Sequence, residues 1–311
     1  MTKRSDVEQG GRRAVETGSE ARRRLLKGIP AQERRRPLAG ISTVVLEGGA
    51  GPPLVLLHGP AGNATHWMRV LPDLVRSHHV VAPDLPGQGA SEVTDGRLDA
   101  DRVIAWLGEL IERTCSSPAI LVGFTLGGAI AARFAAVRGD RISRLVLVDT
   151  LGLVEFAPIP DFGLALREFL ARPTERTHDA LWRHCAADLD QLHRGMGEAV
   201  WEIFRTYNVD RITTPSVQTA LGTLMEQLGI PAIAPATLAR IRVPTTLIWG
   251  RRDAATPLAV AEAASARYGW ALHVIEECGD EPPLEQPEAF LHALRSAIGE
   301  ELDGRNMGLA R

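Results

Sequence analysis

The sequence predicts an α/β protein: a mostly parallel central sheet flanked by helices, with a helical segment inserted into it. Two observations carry this. Short apolar runs alternate with helical periods from residue 40 to 149, and again from 245 to 298. Between these blocks, residues 152–238 show helical stretches and no strand alternation, punctuated by Pro158, Pro160, Pro173, Pro215, Pro231 and Pro235. The composition agrees with a folded chain. The 311 residues are 45% hydrophobic and 23% charged, which excludes a disordered or collagen-like protein. No apolar run is long enough for a membrane-spanning helix, and a net charge of −3 argues against general nucleic-acid affinity.

The elements follow in order. Ile41 to Leu46 is β-branched and reads as a strand, and Gly48 to Pro53 as a turn. Leu54 to Leu57 is a continuous apolar run, as a strand buried on both faces requires. Trp67, Val70, Leu71, Leu74 and Val75 fall at helical spacing, and Val80 to Ala82 is a strand stopped by Pro83. Val103, Trp106, Leu107, Leu110 and Ile111 mark one face of an amphipathic helix. Ile120 to Val122 is a strand running into Gly123, Ala129 to Val137 is helical, and Leu145 to Val148 is a buried strand ending at Asp149. After the insertion, Thr245 to Trp249 and Leu272 to Ile275 read as strands, and Leu258 to Tyr268 and Ala289 to Ile298 as helices. A helical insertion of this kind implies a cap over the carboxyl ends of the strands, where open α/β sheets bind ligands.

The ends have their own character. Residues 1–36 hold 11 Lys+Arg against 5 Asp+Glu, so residues 1–37 are expected to be a basic extension. Within it, Ala21 to Lys27 reads as a short helix ending at Gly28. The extension is expected to be a solvated arm, with a lid or a homodimer arm as the sharper alternative. No apolar stretch follows Arg12-Arg13, so no secretory signal is expected. Residues 301–311 form a polar tail. The three cysteines are scattered and match neither a disulfide framework nor a zinc spacing, so a reducing cytoplasm is the simplest compartment.

Five strand-end segments then come into line: His58-Gly59-Pro60-Ala61-Gly62, Asp84-Leu85-Pro86-Gly87-Gln88-Gly89-Ala90-Ser91, Gly123-Phe124-Thr125-Leu126-Gly127-Gly128, Trp249-Gly250-Arg251-Arg252-Asp253, and Gly279-Asp280 followed by Pro282 and Glu285-Gln286-Pro287-Glu288. In this order they resemble the α/β-hydrolase superfamily, in its cap-bearing branch, across residues 40 to 298. The resemblance implies a core of residues 38–152 and 238–300 and a cap of 153–237. It also implies a nucleophile, a histidine base, an acid that orients it, and backbone N–H groups that stabilise an oxyanion.

Carried over position by position, the pattern is altered. Thr125 takes the nucleophile position. A threonine hydroxyl can attack when a base is near, but a β-branched residue is costly on so tight a turn. Asp280 takes the histidine position, and an ordinary carboxylate is a poor base near neutral pH. Asp253 keeps the acid position. If the two aspartates face each other, one should be held protonated. Pro60 stands where the loop donor is expected and has no N–H, which leaves Leu126 and, with a one-residue slip, Ala61. The candidate catalytic residues are thus Thr125, Asp253 and Asp280. Phe124, His66, Trp182 and Trp201 are the candidate substrate contacts, with His66 the best-placed alternative imidazole. No metal and no cofactor are expected.

Three functions stay open. The first is non-hydrolytic proton-shuttling chemistry, as in a lyase or cyclase, on a small apolar or carbonyl-containing molecule. The second is a catalytically silent protein that binds such a ligand. The third is a weak ester or C–C bond hydrolase acting through Thr125 or an Asp-activated water.

Overall fold

The computed structural model describes residues 17–300. Eight strands form one sheet: β1 (Gln32–Leu38), β2 (Ile41–Gly48), β3 (Pro53–Leu57), β4 (His79–Pro83), β5 (Ala119–Phe124), β6 (Ile142–Val148), β7 (Thr245–Gly250) and β8 (Ala271–Ile275). Their order is β1-β2-β4-β3-β5-β6-β7-β8. β2 runs antiparallel to both β1 and β4, and the remaining pairs are parallel. The registers Leu54↔Val80 and Leu54↔Ile120 place β3 between β4 and β5. The strand order reverses at β3, and a crevice opens there beyond the carboxyl ends of the strands. β3 and β5 are buried along their whole length, as their unbroken apolar runs require.

Helices cover both faces. On one lie α2 (Ala100–Thr114) and α3 (Leu126–Arg138), where Trp106, Leu110, Ile130 and Phe134 pack against Val55, Leu57, Leu121 and Leu147. On the other, Trp67 and Phe290 meet Leu54, Leu56, Val122, Val146 and Ile248. The opposite sets come from alternate positions of the same strands, so the period-two geometry of the strand feeds two cores. No described helix is long and apolar enough to cross a membrane.

Between β6 and β7 the chain is helical: α4 (Pro160–Ala171), α5 (Glu175–Cys185), α6 (Leu189–Met196), α7 (Glu198–Thr213) and α8 (Pro215–Leu224), with shorter turns after them. A third apolar cluster holds this insertion together around Trp182, Trp201, Phe204 and Tyr207.

The amino-terminal segment departs from expectation. Residues 1–16 lie outside the described residues; the short helix expected over Ala21 to Lys27 is present as α1 (Gly18–Leu25), opened by a capping box between Thr17 and Glu20, but it packs on α7 where a solvated arm was expected. Gln32–Leu38, expected within a basic extension, is instead the strand β1. It hid because an edge strand facing solvent on both sides has no apolar alternation, and Arg34 to Arg36 disguise it further. Charges of this kind also protect an open sheet edge. The expected tail at 301–311 falls outside the described residues.

Candidate functional site

The site starts with a strained turn. Thr125 joins β5 to α3 at φ 45° and ψ −108°, a conformation that a β-branched side chain adopts only under constraint. The constraint is local. The Thr125 N–H donates to the Val148 carbonyl (2.9 Å), and the Thr125 carbonyl accepts from Ala129 and Leu151 N–H (3.1 Å each). Glycines make the turn possible: a Cβ on Gly123 would stand 2.5 Å from the Gly127 oxygen, and one on Gly127 would stand 2.4 Å from the Leu57 oxygen. Gly59 leaves room for the hydroxyl itself, since its Cβ would lie 2.3 Å from Thr125 Oγ1. That hydroxyl is buried and has no hydrogen-bond partner.

The loops after β3 and β4 are knitted together by two buried groups. Leu85 N–H donates to His58 Nε2 (2.8 Å), which fixes the tautomer, so Nδ1–H donates to the Gly59 carbonyl (2.7 Å). Burial lowers the His58 pKa to about 3, and the ring is neutral. Asp84 accepts from the backbone N–H of Ala64 and Ala90 (2.7 Å each) and pairs with Arg22 (3.1 Å). His58 therefore positions a loop. His66 is also neutral, lowered to about 3 mainly by burial, and its ring packs edge-to-face with Phe204, the centroids 5.1 Å apart.

The acid side of the site is larger than the two expected aspartates. Asp253, after β7, accepts from Ala255 and Thr256 N–H through one oxygen (2.7 Å each). Burial raises it to about 7. Asp149, at the end of β6 with φ 41°, accepts from Gly250 N–H (2.8 Å). It is held well above the usual carboxylate range by burial and by the neighbouring Asp253. Asp280 is anchored by its own N–H to the Cys185 carbonyl (2.9 Å), where α5 ends. Burial, then Asp253 and Glu281, push its pKa well up. Glu281 is raised in the same way by burial and Glu285. Glu285 accepts from Ala187, Gly279 and Glu281 N–H, and so ties the insertion to this loop.

Asp280 and Glu281 each keep one buried oxygen without a partner, while Asp149 and Asp253 meet side chain to side chain. Backbone N–H groups partly offset the rise of Asp149, Asp253 and Glu285, whereas burial and the neighbouring acids raise Asp280 and Glu281 without such an offset. Like charges so close cannot all ionise, and the group stays largely protonated. Among the described residues no three His, Cys, Asp or Glu are arranged to hold a metal ion.

A cavity of about 450 Å³ lies between the strand ends and the insertion. It brings together Thr125, Asp280, Phe124, His66, Trp182, Pro60 and Ala61 from the expected set. Other expected residues lie elsewhere. Asp253 does not line the cavity and sits behind it with Asp149, so the face-to-face pair expected of Asp253 and Asp280 is a larger cluster in which Glu281 is the cavity-lining neighbour of Asp280. Leu126, expected only as a backbone donor, opens α3 directly after Thr125 with its side chain buried. Trp201, expected to touch substrate, is fully buried in the insertion against Trp182 and Phe204. Helical spacing marked it as inward-facing, but the inside there is packed core. Glu281 and Glu285 went unassigned because nothing in their local sequence marks convergence on Asp149 and Asp253 from separate strands.

A sequence model of the alpha/beta hydrolase family matches residues 54–293, which span every segment just described. The chain belongs to that family. Among curated alpha/beta hydrolase relatives, 2-hydroxy-6-oxo-6-(2'-aminophenyl)hexa-2,4-dienoic acid hydrolase of Metapseudomonas resinovorans is 25% identical over 87% of this chain and 92% of its own length. The 2-hydroxymuconate semialdehyde hydrolase of Pseudomonas sp. (strain CF600) is 28% identical over 84% of this chain and 92% of its own. Among solved structures, the 2-hydroxy-6-oxo-6-phenylhexa-2,4-dienoate hydrolase of Rhodococcus sp. strain RHA1 superposes with a TM-score of 0.74 at 25% identity, covering 86% of this chain and 99% of that one.

Proposed function

We propose that this alpha/beta hydrolase binds a small, largely apolar, carbonyl-bearing molecule in the cavity beneath its helical cap and moves a proton on it through Asp280 and Glu281, without forming an ester with Thr125. One observation carries the reading. Thr125 Oγ1 has no hydrogen-bond partner, so no base is positioned to activate it, while Asp280 and Glu281 line the same cavity with free oxygens. Acids pushed upward by burial are better matched to proton transfer near neutral pH than ordinary carboxylates. In the step proposed, the ionised member of the pair takes a proton from the carbon beside the carbonyl. The protonated member gives its proton to the carbonyl oxygen, and the product is the enol. Thr125 donates a hydrogen bond to the same oxygen.

A second reading is favoured by the relatives, whose names are those of hydrolases. In it, Thr125 or an acid-activated water cleaves an ester or a C–C bond, and the strained turn at φ 45° presents the hydroxyl. All three names specify carboxylic acid substrates, yet no Lys or Arg lines this cavity among the described residues, so we do not carry those substrates over.

One experiment separates the readings. The protein is incubated with 4-phenyl-2-butanone in deuterated buffer, and a second sample with a fluorophosphonate probe. We expect deuterium at the carbon beside the carbonyl faster than in buffer alone, a loss of about tenfold or more in Asp280→Asn, and no label on Thr125. Labelling of Thr125, or exchange no faster than in buffer, overturns the proposal.

A further inference from the structure

We propose that the ligand of this cavity carries a protonated amine on an apolar body, and that the cavity rejects carboxylates. The inference rests on the cavity being the ligand site and not on any turnover.

Three features of the cavity converge. Its charged-type lining residues are acids, Asp280 and Glu281, and each has a buried oxygen without a partner. Asp253, Asp149 and Glu285 stand close to them, and the other titratable groups in the lining include His66 and His178, both kept neutral by burial. Among the described residues no guanidinium or ammonium lines the cavity beside these acids. The second feature is independent of the acids. Phe124, Phe156, Phe162, Phe169 and Trp182 bring aromatic rings to the lining, and aromatic faces attract cations more strongly where water is excluded. The third is Thr125, a residue only 5% exposed, whose buried hydroxyl has no partner and has a lone pair for an N–H donor.

An alkylammonium supplies what these groups lack: positive charge, and up to three N–H donors for oxygens that have no partner. Beside it the two acids settle with one proton between them. One is then a carboxylate facing the cation, and the other a carboxylic acid that can still donate to a carbonyl. A carboxylate ligand meets the opposite situation, a second anion beside acids already too crowded to ionise together. A neutral ligand fills the apolar space but leaves the free oxygens unsatisfied.

The test uses three probes of matched shape: 4-phenylbutylamine, 4-phenylbutanol and 4-phenylbutyrate. Dissociation constants are measured by calorimetry on the whole chain near neutral pH. We expect the amine to bind about tenfold or more tightly than the alcohol, and the carboxylate more weakly than either. In the double variant Asp280→Asn with Glu281→Gln, the preference for amine over alcohol should shrink to about threefold or less while the alcohol still binds. A carboxylate bound as tightly as the amine, an amine preference that survives the double substitution, or no binding of any probe overturns the inference. The wild-type comparison needs no variant to fold. Because binding is read without turnover, a failed exchange assay and a failed amine preference remain distinguishable.

Discussion

At Thr125 the chain accepts a backbone conformation that its side chain disfavours, and the neighbouring glycines show what enforces it. Gly123 and Gly127 are packed against backbone, which cannot swing aside as a side-chain tip can. Gly123→Ala would put a methyl group 2.6 Å from Gly128 Cα, so the strand and α3 would have to separate. We expect a loss of about 3 kcal/mol in urea unfolding, at the upper end of ordinary overpacking. Wild-type stability in this variant would mean that the turn is not locked by strand–helix contact. The turn was legible in the sequence because glycines on both sides of one residue, between an apolar strand and a helix, mark a close strand-to-helix crossing. What surrounds it was less so. Asp280 could be placed from the order of motifs. Glu281 and Asp149 acquire meaning only when separate strand ends meet, and no local spacing announces that meeting.

Among the elements, α1 does more than a basic arm would. Arg22, on its buried face, donates to Tyr207 Oη on α7 (2.9 Å), pairs with Asp84 in the loop after β4 (3.1 Å), and bonds Glu33 on β1 (2.7 Å). One guanidinium thus joins the amino-terminal helix, the sheet edge, a loop of the site and the insertion. Removing it leaves Asp84 buried with its two backbone N–H bonds and no cation. Breaking a buried pair from one side typically costs ~3–5 kcal/mol. We therefore expect Arg22→Met to lower the urea midpoint by an amount equivalent to about 3 kcal/mol, and to speed amide exchange along α1 and α7. A change below about 1 kcal/mol would show that α1 is held by its apolar contacts alone. The sequence showed a helix here, but hid its role: Arg22 lies in a run of three arginines, and only the fold singles out the one that turns inward. β3, β5 and β6 were readable for the opposite reason, since a strand buried on both faces writes its burial directly into consecutive apolar residues.

For the whole molecule, two sets of buried groups oppose each other across the pH scale. His58 and His66 are held down to about 3, so below about pH 6.5 the unfolded chain takes up protons that the folded chain refuses, and stability falls as acid is added. The buried acids act with the opposite sign. Asp253 rises from 3.8 to about 7 on folding, so its contribution is fully present below its unfolded value and is lost as the pH climbs through about 7. Comparing a variant with the wild type isolates one member of the set. Asp253→Asn keeps an oxygen for the Ala255 and Thr256 N–H groups and turns an amide donor toward Asp149, while removing the charge. The two proteins should be nearly equal in stability below about pH 3, where Asp253 is protonated folded and unfolded alike. The variant should then gain steadily, approaching ~4 kcal/mol above about pH 8, the free-energy equivalent of that rise in pKa. Urea unfolding across this range gives the curve directly. A constant offset between the proteins would mean that Asp253 is ionised throughout and that the acids are not crowded. A widening gap would show that the fold carries a destabilising acid cluster at neutral pH, the pattern expected where residues are retained for the chemistry of a site at the expense of stability.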